Sequence, residues 1–250
     1  EVAAVQHLWV VQVQRLLDGL DWTGVVIVER PFEGGVSLFI PAPVDRLFTA
    51  AYVIEAAWYF CASALLGDEA MPIEAMLADL QKIEAREANP ELRAVVAEAE
   101  ARGLDRLLDD DAVTFGHGKG AATWATEDLP AVPDWTGLHD IPLALVTGTN
   151  GKTTTTRLIA AMARAAGLVS GLSSTELVKV GDEVLDRGDY SGPAGARLLL
   201  RDPRLELAVL EVARGGILRR GLPVSHAQVA VVTNVASDHL GQYGINTVAE

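Results

Sequence analysis

Hydrophobic positions in the first hundred residues recur mostly at helical spacing. Apolar side chains repeat every three or four positions from Val2 to Leu17, and Asp18-Gly19 is typical of a helix end. Two shorter apolar runs, Val25–Val28 and Val36–Ile40, predict a β-hairpin around Gly34-Gly35. Helices are predicted over residues 2–17, 47–66, 72–86 and 89–103.

The pattern changes after residue 140 to short apolar runs that alternate with helical segments. The runs and segments, in chain order, cover 143–146, 153–166, 169–172, 194–200, 207–210 and 229–232. Strands that are apolar along their whole length are buried on both faces, which is typical of a parallel sheet covered by helices. We therefore predict an α/β domain with a parallel sheet and flanking helices over residues 141–250.

Residues 129–140 separate these two patterns and contain prolines and acidic residues without apolar periodicity. Such a composition is typical of a surface linker. Residues 1–128 are accordingly predicted to form a smaller α+β domain before it. Within that domain the acidic stretch 107–111 is expected to be solvated, since adjacent aspartates rarely converge on one metal ion.

Charge and composition narrow the classes of function. The formal net charge of −14 repels nucleic acid and anionic membrane surfaces overall, although a local loop can still bind a small anion. The apolar segment Leu47–Leu66 is long enough to span a bilayer, but Glu55 at its middle favours a buried core helix over a membrane span. The single cysteine, Cys61, is consistent with a cytoplasmic location.

The strongest chemical signal follows the first apolar run of the second half. It reads Thr147-Gly-Thr-Asn-Gly-Lys-Thr-Thr154, between a predicted strand and a predicted helix. Glycines let backbone N–H groups converge on phosphates, and the start of a helix adds partial positive charge. Lys152 is placed to reach the terminal phosphates, and the Thr153 hydroxyl to ligate Mg²⁺. Val146 replaces the first glycine of the general motif, yet the context predicts a phosphate-binding loop.

Polar side chains follow two other predicted strands. Glu211 ends one run, and Thr233-Asn234 ends another, with Asp238-His239 a few residues on. Ligands of doubly wound sheets bind outside the carboxyl ends of the strands. Glu211 and His239 are therefore candidate ligands of a Mg²⁺–phosphate site, although each alone is more often an ordinary surface or structural residue.

A second glycine-rich run, Gly116-His-Gly-Lys-Gly120, admits two interpretations. It resembles a phosphate loop in its glycine spacing, but no strong helix follows it. A glycine-rich hairpin is therefore favoured.

These motifs together resemble a known family. Thr147–Thr154, Thr233-Asn234 and Asp238-His-Leu240 are similar to the central ATPase domain of the Mur ligases. Further motifs are similar to the Mur-type half of cyanophycin synthetases: Arg187-Gly-Asp-Tyr-Ser-Gly-Pro193, Arg201-Asp-Pro203, Leu210-Glu-Val-Ala-Arg-Gly-Gly-Ile-Leu-Arg219 and Asp238-His-Leu-Gly-Gln-Tyr-Gly244. The resemblance covers residues 141 to 250, and the motifs occur in the family's order.

The resemblance implies an ADP-forming amide ligase that activates a carboxylate as an acyl phosphate and joins it to an amino acid. It assigns catalytic roles to Lys152, Glu211 and His239. It also implies that Thr153, Glu211 and His239 bind Mg²⁺. The residues implied for ATP binding are Gly148, Thr149, Asn150, Gly151, Lys152, Thr153, Thr154 and Asn234. Contacts to a carboxylate or peptide-like acceptor would come from Arg214, Gly215, Gly216 and Arg219, where a plain surface role for the arginines is equally open.

The sequence departs from this family in one large respect. Cyanophycin synthetases carry an ATP-grasp domain between the corresponding regions, whereas here Asp128 leads almost directly into the Mur-like part. A separate ATP-grasp ligase as partner therefore stays open, as does a homo-oligomer. A chain that lacks an initial Met and ends on the capping-box pattern Thr247–Glu250 is expected to be a truncated fragment without turnover of its own.

Two other functions stay open. One is a P-loop kinase or nucleotide hydrolase of another lineage. Glu211 argues against it, because such proteins usually carry Asp at that position. The other is a non-catalytic nucleotide-binding partner of a separate ligase.

Overall fold

A computed structural model describes residues 2–32 and 35–249. The chain forms two compact units, Glu1–Ala94 and Val95–Glu250. Their division lies within helix α4, Pro90–Ala101, and therefore precedes the linker that we predicted over 129–140.

The first unit is a helical layer with a small hairpin. Its helices are α1 (Val2–Gly19), α2 (Leu47–Leu66) and α3 (Ile73–Glu87), and its strands are β1 (Val28–Phe32) and β2 (Gly35–Phe39). Side chains such as Trp9, Val53 and Leu80 form its apolar core. The predicted antiparallel hairpin is present, but β1 begins where the predicted strand ends. Gly34 of the predicted turn lies outside the described residues.

Helix α2 is the one described helix that is long and apolar enough to cross a membrane, judged by length and composition. Its buried side chains, among them Val53, Ala57 and Phe60, pack in the core of the first unit. The free thiol of Cys61 is also buried there.

An ion pair made by a buried carboxylate fixes the start of α4. The Asp45 carboxylate accepts hydrogen bonds from Arg93 Nη2 at 2.7 Å, from Arg93 Nε at 3.1 Å and from the Asn89 amide at 3.2 Å. Burial raises the pKa of Asp45, but the bonds from Arg93 and Asn89 outweigh it, so the pKa lies below its usual value. The negative charge is therefore stabilised in the fold.

The second unit contains a three-stranded antiparallel sheet, of which the sequence predicted only a hairpin around residues 116–120. Its strands are β3 (Arg106–Leu108), β4 (Ala112–Phe115) and β5 (Ala122–Ala125). Leu107 is buried in one apolar cluster with Ile141 and with Leu143 of the main sheet. The expectation of a solvated stretch 107–111 is therefore wrong for its first part.

The six-stranded main sheet has the order β11-β6-β10-β7-β8-β9. Its strands are β6 (Leu143–Thr147), β7 (Ser170–Ser173), β8 (Leu177–Val180), β9 (Glu183–Arg187), β10 (Leu207–Glu211) and β11 (Val229–Val232). The helices are α5 (Lys152–Ala165), α6 (Pro193–Leu200) and α7 (Arg214–Arg220). Strands β11, β6, β10 and β7 are parallel, which confirms the predicted α/β class, whereas β8 and β9 add an unpredicted antiparallel extension.

Candidate functional site

The site is built on the turn between β6 and α5. Gly151 adopts a left-handed conformation (φ 83°) and stands at the helix N-cap, where no side chain caps α5. The first N–H groups of a helix have no partner within the helix and carry partial positive charge. The turn therefore presents backbone donors at a helix start, as a phosphate-binding loop requires.

The loop is held in place by the residues that follow β11. Thr149 N donates to Asn234 O at 2.9 Å, and the Asn234 amide side chain bonds both N–H and C=O of Asn150, at 3.1 and 3.0 Å. Thr233 Oγ1 donates to Asn150 O at 2.7 Å. The amide of Asn234, implied above to bind nucleotide, is thus engaged with the loop backbone, and it fixes the loop's shape.

Gly148 is the tightest point of this arrangement. Its φ is 132°, and a Cβ placed there would lie 2.2 Å from Thr233 Oγ1. Only a residue without a side chain allows the loop to pass so close to the end of β11.

Lys152 lies folded over the loop that precedes it. Its Nζ donates to Gly148 O at 2.9 Å and to Thr149 O at 3.0 Å. The ammonium group is therefore located on the same loop whose amides we expect to bind phosphate.

Thr153 and Glu211 come together as the sequence predicted for neighbouring strand ends. Thr153 Oγ1 donates to Glu211 Oε2 at 2.9 Å, and Glu211 is only 2% exposed. Its other oxygen, Oε1, is buried without a hydrogen-bond partner in the described part of the chain. An unpaired buried carboxylate oxygen is costly without a cation, and Mg²⁺ prefers such hard oxygen ligands. The donor set of Thr153 and Glu211 therefore fits Mg²⁺ beside the phosphate loop.

His239 lies on the irregular segment after β11, and its side chain is 69% exposed. Its Nε2 lies 3.8 Å from Asp238 Oδ1, and within residues 2–32 and 35–249 no hydrogen bond or ion pair joins it to Thr153 or Glu211. The structure thus shows the Thr153–Glu211 pair directly and leaves His239 as a predicted third ligand on an adjacent segment.

The residues expected to contact the acceptor lie on α7, immediately after Glu211. Arg214 Nη2 donates to the His239 carbonyl, and the Arg219 guanidinium lies 5.5 Å from the centre of the Tyr243 ring. A Cβ at Gly215 would lie 3.0 Å from Tyr243, and one at Gly216 would lie 3.4 Å from Ser191 O.

Two hydroxyl residues near the site were missed as site residues from the sequence. Thr233 supports the loop as described, and Thr175 Oγ1 lies 3.5 Å from Thr153 Oγ1. Both residues follow the carboxyl end of a strand, where ligands of such sheets bind. The same rule that singled out Glu211 would therefore also have found Thr175.

The second glycine-rich run forms the turn between β4 and β5, which confirms the predicted hairpin. The amides of His117 and Lys119 donate to His139 O and Leu205 O, so these backbone donors are already used within the chain. A Cβ at Gly118 would lie 2.4 Å from Leu205 O. The run is therefore packed against its neighbours and is not a second phosphate loop.

His117 in this turn belongs to a buried titratable cluster. Its Nδ1 lies 3.4 Å from Asp140 Oδ1 and its Nε2 lies 3.7 Å from Asp105 Oδ2, while His226 Nε2 lies 3.4 Å from Asp140 Oδ2. Burial lowers the pKa of His117, against the opposing effect of Asp140 and Asp105. Nowhere in residues 2–32 and 35–249 do three or more His, Cys, Asp or Glu residues converge as metal ligands, so we assign no metal to this cluster.

The fold and this loop are those of a P-loop α/β domain. Comparison with known proteins shows which family this part of the chain is similar to. Residues 146–247 match the family described as the Mur ligase middle domain.

Similar curated proteins bear out the specific resemblance. Over 110 residues the chain is 54% identical to cyanophycin synthetase of Geminocystis herdmanii and 51% identical to that of Crocosphaera subtropica. These alignments cover 44% of this chain and 13% of each relative. A UDP-N-acetylmuramoyl-L-alanyl-D-glutamate–2,6-diaminopimelate ligase of Geobacillus kaustophilus is 34% identical over 113 residues, which is 42% of this chain and 22% of the ligase. The chain thus spans a small part of the relatives' length, and the similarity is to ligases.

Proposed function

We propose that the 141–250 region is the ATP-binding part of an ADP-forming amide ligase of the cyanophycin-synthetase-like kind. The observation that carries this proposal is the buried Glu211 carboxylate, bonded to Thr153 of the phosphate loop and left with one unpaired oxygen. A loop that only shaped a turn would not need a buried acid beside it. The similarity to two kinds of ligase supports amide formation over other phosphate-loop chemistry.

The proposed reaction has two steps. A carboxylate oxygen of the acceptor attacks the γ-phosphorus of ATP, which gives an acyl phosphate and releases ADP. The amine of the incoming amino acid then attacks the acyl carbon; phosphate leaves, the nitrogen loses a proton and an amide forms.

The chain's own residues contribute position and charge. Lys152 exchanges its two carbonyl partners for phosphate oxygens and neutralises negative charge as ADP departs. The amides at the start of α5 bind the phosphate chain, and Thr153 with Glu211 would hold Mg²⁺, with His239 proposed as a further ligand near the reacting carboxylate. When bound, Mg²⁺ offsets the charge of the phosphates and of the carboxylate that attacks them.

We further propose an amino acid and a carboxylate-bearing, peptide-like acceptor as substrates, in the cytoplasm. A separate ATP-grasp ligase is a proposed partner, because the resemblance implies an ATP-grasp domain at the position where only the short stretch 129–140 stands.

Nucleotide binding by this chain is the first test. Calorimetry with ATP and Mg²⁺ should show binding, and Lys152→Ala should raise the Kd at least about tenfold, equivalent to about 1.4 kcal/mol. Lys82→Ala is the matched control, because Lys82 is an exposed lysine paired with Asp79 in the first unit. Equal binding by both variants would contradict the proposal.

The reaction itself is tested on the complete gene product. Release of ADP and phosphate should require an amino acid and a carboxylate acceptor together, with aspartate polymers as the first acceptors and arginine and lysine as the first amino acids. Phosphorylation without an amino acid would indicate a kinase instead. Binding of ATP without any release of ADP under all conditions would indicate a non-catalytic nucleotide-binding protein.

A further inference from the structure

We propose that α7 positions the segment 238–243, and that Arg214 is a positioning residue for His239 and does not bind the acceptor. The contact set that carries this inference consists of Arg214, Gly215 and Arg219 on one side and His239 and Tyr243 on the other. The part that concerns metal binding rests on the proposed function, whereas the positioning itself does not.

The first step is that α7 is itself fixed to the sheet beside Glu211. Strand β10 ends at Glu211, and the next residue, Val212, is buried and donates its amide to Val146 O at 2.9 Å. The amide of Ala213, the N-cap of α7, donates to Ser191 O at 3.2 Å. The start of α7 is therefore a rigid support three residues from the proposed metal ligand.

The second step is that segment 238–243 needs such a support. His239 (φ 49°) and Tyr243 (φ 56°) both adopt the left-handed conformation that residues other than glycine rarely adopt. These conformations persist where surrounding contacts determine them. Backbone bonds from Gly241 N to Ile245 O at 2.8 Å and from Ile245 N to Gln242 O at 3.1 Å close the turn that contains Tyr243. The side chain of His239, in contrast, is largely exposed and gives its residue little support.

The third step is that α7 contacts the segment at His239 and Tyr243, the two left-handed residues. Arg214 donates to the carbonyl oxygen of His239, and Arg219 lies over the Tyr243 ring. Arg219 Nε also donates to Gly215 O at 3.2 Å, which orients its guanidinium, and the lack of a side chain at Gly215 leaves room for the Tyr243 ring. Both left-handed residues are thus held by one short helix.

The direction of the Arg214 bond decides its role. Its guanidinium donates to a backbone oxygen 25 residues away, which fixes where the His239 main chain lies. A residue that only bound a substrate carboxylate would not need this contact. Arg214 therefore links the Glu211 side of the site to the His239 side.

Hydrogen–deuterium exchange of this chain tests the positioning without any assumption about function. Arg214→Ala and Tyr243→Ala should speed exchange of amides 238–245 at least about threefold, because the contacts that hold the segment are lost. Amides 207–212 of β10 should not change. Tyr243→Phe keeps the ring under Arg219 and should behave like the wild type.

Arg220→Ala is the matched control for lost charge. Arg220 is an exposed arginine on the same helix, and no contact with segment 238–243 is seen for it in the described residues. Unchanged exchange in Arg214→Ala and Tyr243→Ala would overturn the proposal. So would an equal rise in Arg220→Ala, which would make the effect one of net charge.

A second measurement separates this proposal from the proposed function. In the complete gene product, Arg214→Ala should raise the Mg²⁺ concentration for half-maximal ADP release about tenfold, with the KM for the acceptor unchanged. A raised acceptor KM with unchanged Mg²⁺ dependence would assign Arg214 to the substrate and overturn its positioning role. Absence of nucleotide binding by the wild type would refute the proposed function, and the exchange experiment would still decide the positioning.

Discussion

The Thr153 hydroxyl and the Glu211 carboxylate meet at 2.9 Å, although 58 residues separate them along the chain. Thr153 is the second residue of the helix after β6, and Glu211 ends β10, the strand paired in parallel with β6. Parallel pairing places the two at one edge of the sheet.

This pair leads to a first prediction. Glu211→Gln and Thr153→Val should each weaken ATP binding in the presence of Mg²⁺ about tenfold, because each removes an oxygen or a charge that would hold the cation. ATP binding measured with a chelator present should change little. Glu183→Gln, at an exposed glutamate paired with Arg204, is the control and should leave both values unchanged. An equal loss with and without Mg²⁺ would assign the pair to the loop's structure.

The second prediction concerns Gly148. Gly148→Ala should lower the free energy of unfolding by about 1–3 kcal/mol and abolish measurable ATP binding, because its Cβ would collide with Thr233 Oγ1. Chemical denaturation and calorimetry measure the two effects. Gly167→Ala is the comparison, since Gly167 also has a positive φ (88°) but no neighbouring atom within 4 Å of the added Cβ among the described residues. A similar loss of ATP binding in that variant would refute the steric explanation.

The third prediction follows from His117. Because burial lowers its pKa below the ordinary 6.5, the unfolded chain binds the proton more tightly than the folded one. The stability that the neutral, buried His117 gives the fold is therefore fully present above pH 6.5. Below pH 6.5 the free energy of unfolding should fall toward the folded-state pKa, by up to about 1.4 kcal/mol per pH unit.

Denaturation at several pH values measures this dependence. The charged and ionisable side chains Asp105, Asp140 and His226 lie beside His117, so the comparison is between variants: His117→Gln should flatten the slope below pH 6.5, and His7→Gln, at an exposed histidine, should not. A slope that stays the same in His117→Gln would show that other groups cause it.

The fourth prediction concerns the first unit. Asp45→Ala should lower its free energy of unfolding by about 1.5–3 kcal/mol, because the half-exposed Arg93 guanidinium and the Asn89 amide lose their anionic partner. Asp79→Ala should cost at most about 1 kcal/mol, since the Asp79–Lys82 pair is exposed. Equal effects in the two variants would argue that the Asp45 pair is weak despite its burial.

The loop between β6 and α5 was predictable because all the sequence signals for it lie close together along the chain. The apolar run before it, the glycines and the Lys152-Thr153 pair lie within a dozen residues, and parallel topology then located Glu211. The role of Asn234 was less accessible: its amide bonds the backbone of Asn150, 84 residues away, and sequence pattern does not distinguish such a bond from a ligand contact.

One missed strand, β9 (Glu183–Arg187), has a clear physical cause. Charged residues stand at three of its five positions, and it lies at the edge of the sheet, where four of the five residues are exposed. Neither helical nor continuous apolar patterning marks such a strand.

The division into compact units lies before the linker predicted over 129–140 for a related reason. Asp109 after β3 forms ion pairs with Arg197 and Arg201 of the α6 region, which fixes the small sheet within the second unit. An acidic stretch therefore looked solvated in the sequence because its cationic partners lie some ninety residues later.

The conformation of Lys152 sets a condition on what the loop recognises. Its ammonium group already has two carbonyl acceptors at 2.9 and 3.0 Å, so an arriving ligand replaces neutral oxygens by its own. A neutral or weakly charged ligand gains little binding free energy from such an exchange. A polyanion gains more, because a charged oxygen accepts a stronger hydrogen bond from the ammonium group than a neutral carbonyl does. The lysine's resting contacts thus act as a threshold that favours densely charged ligands in a protein whose overall field repels them.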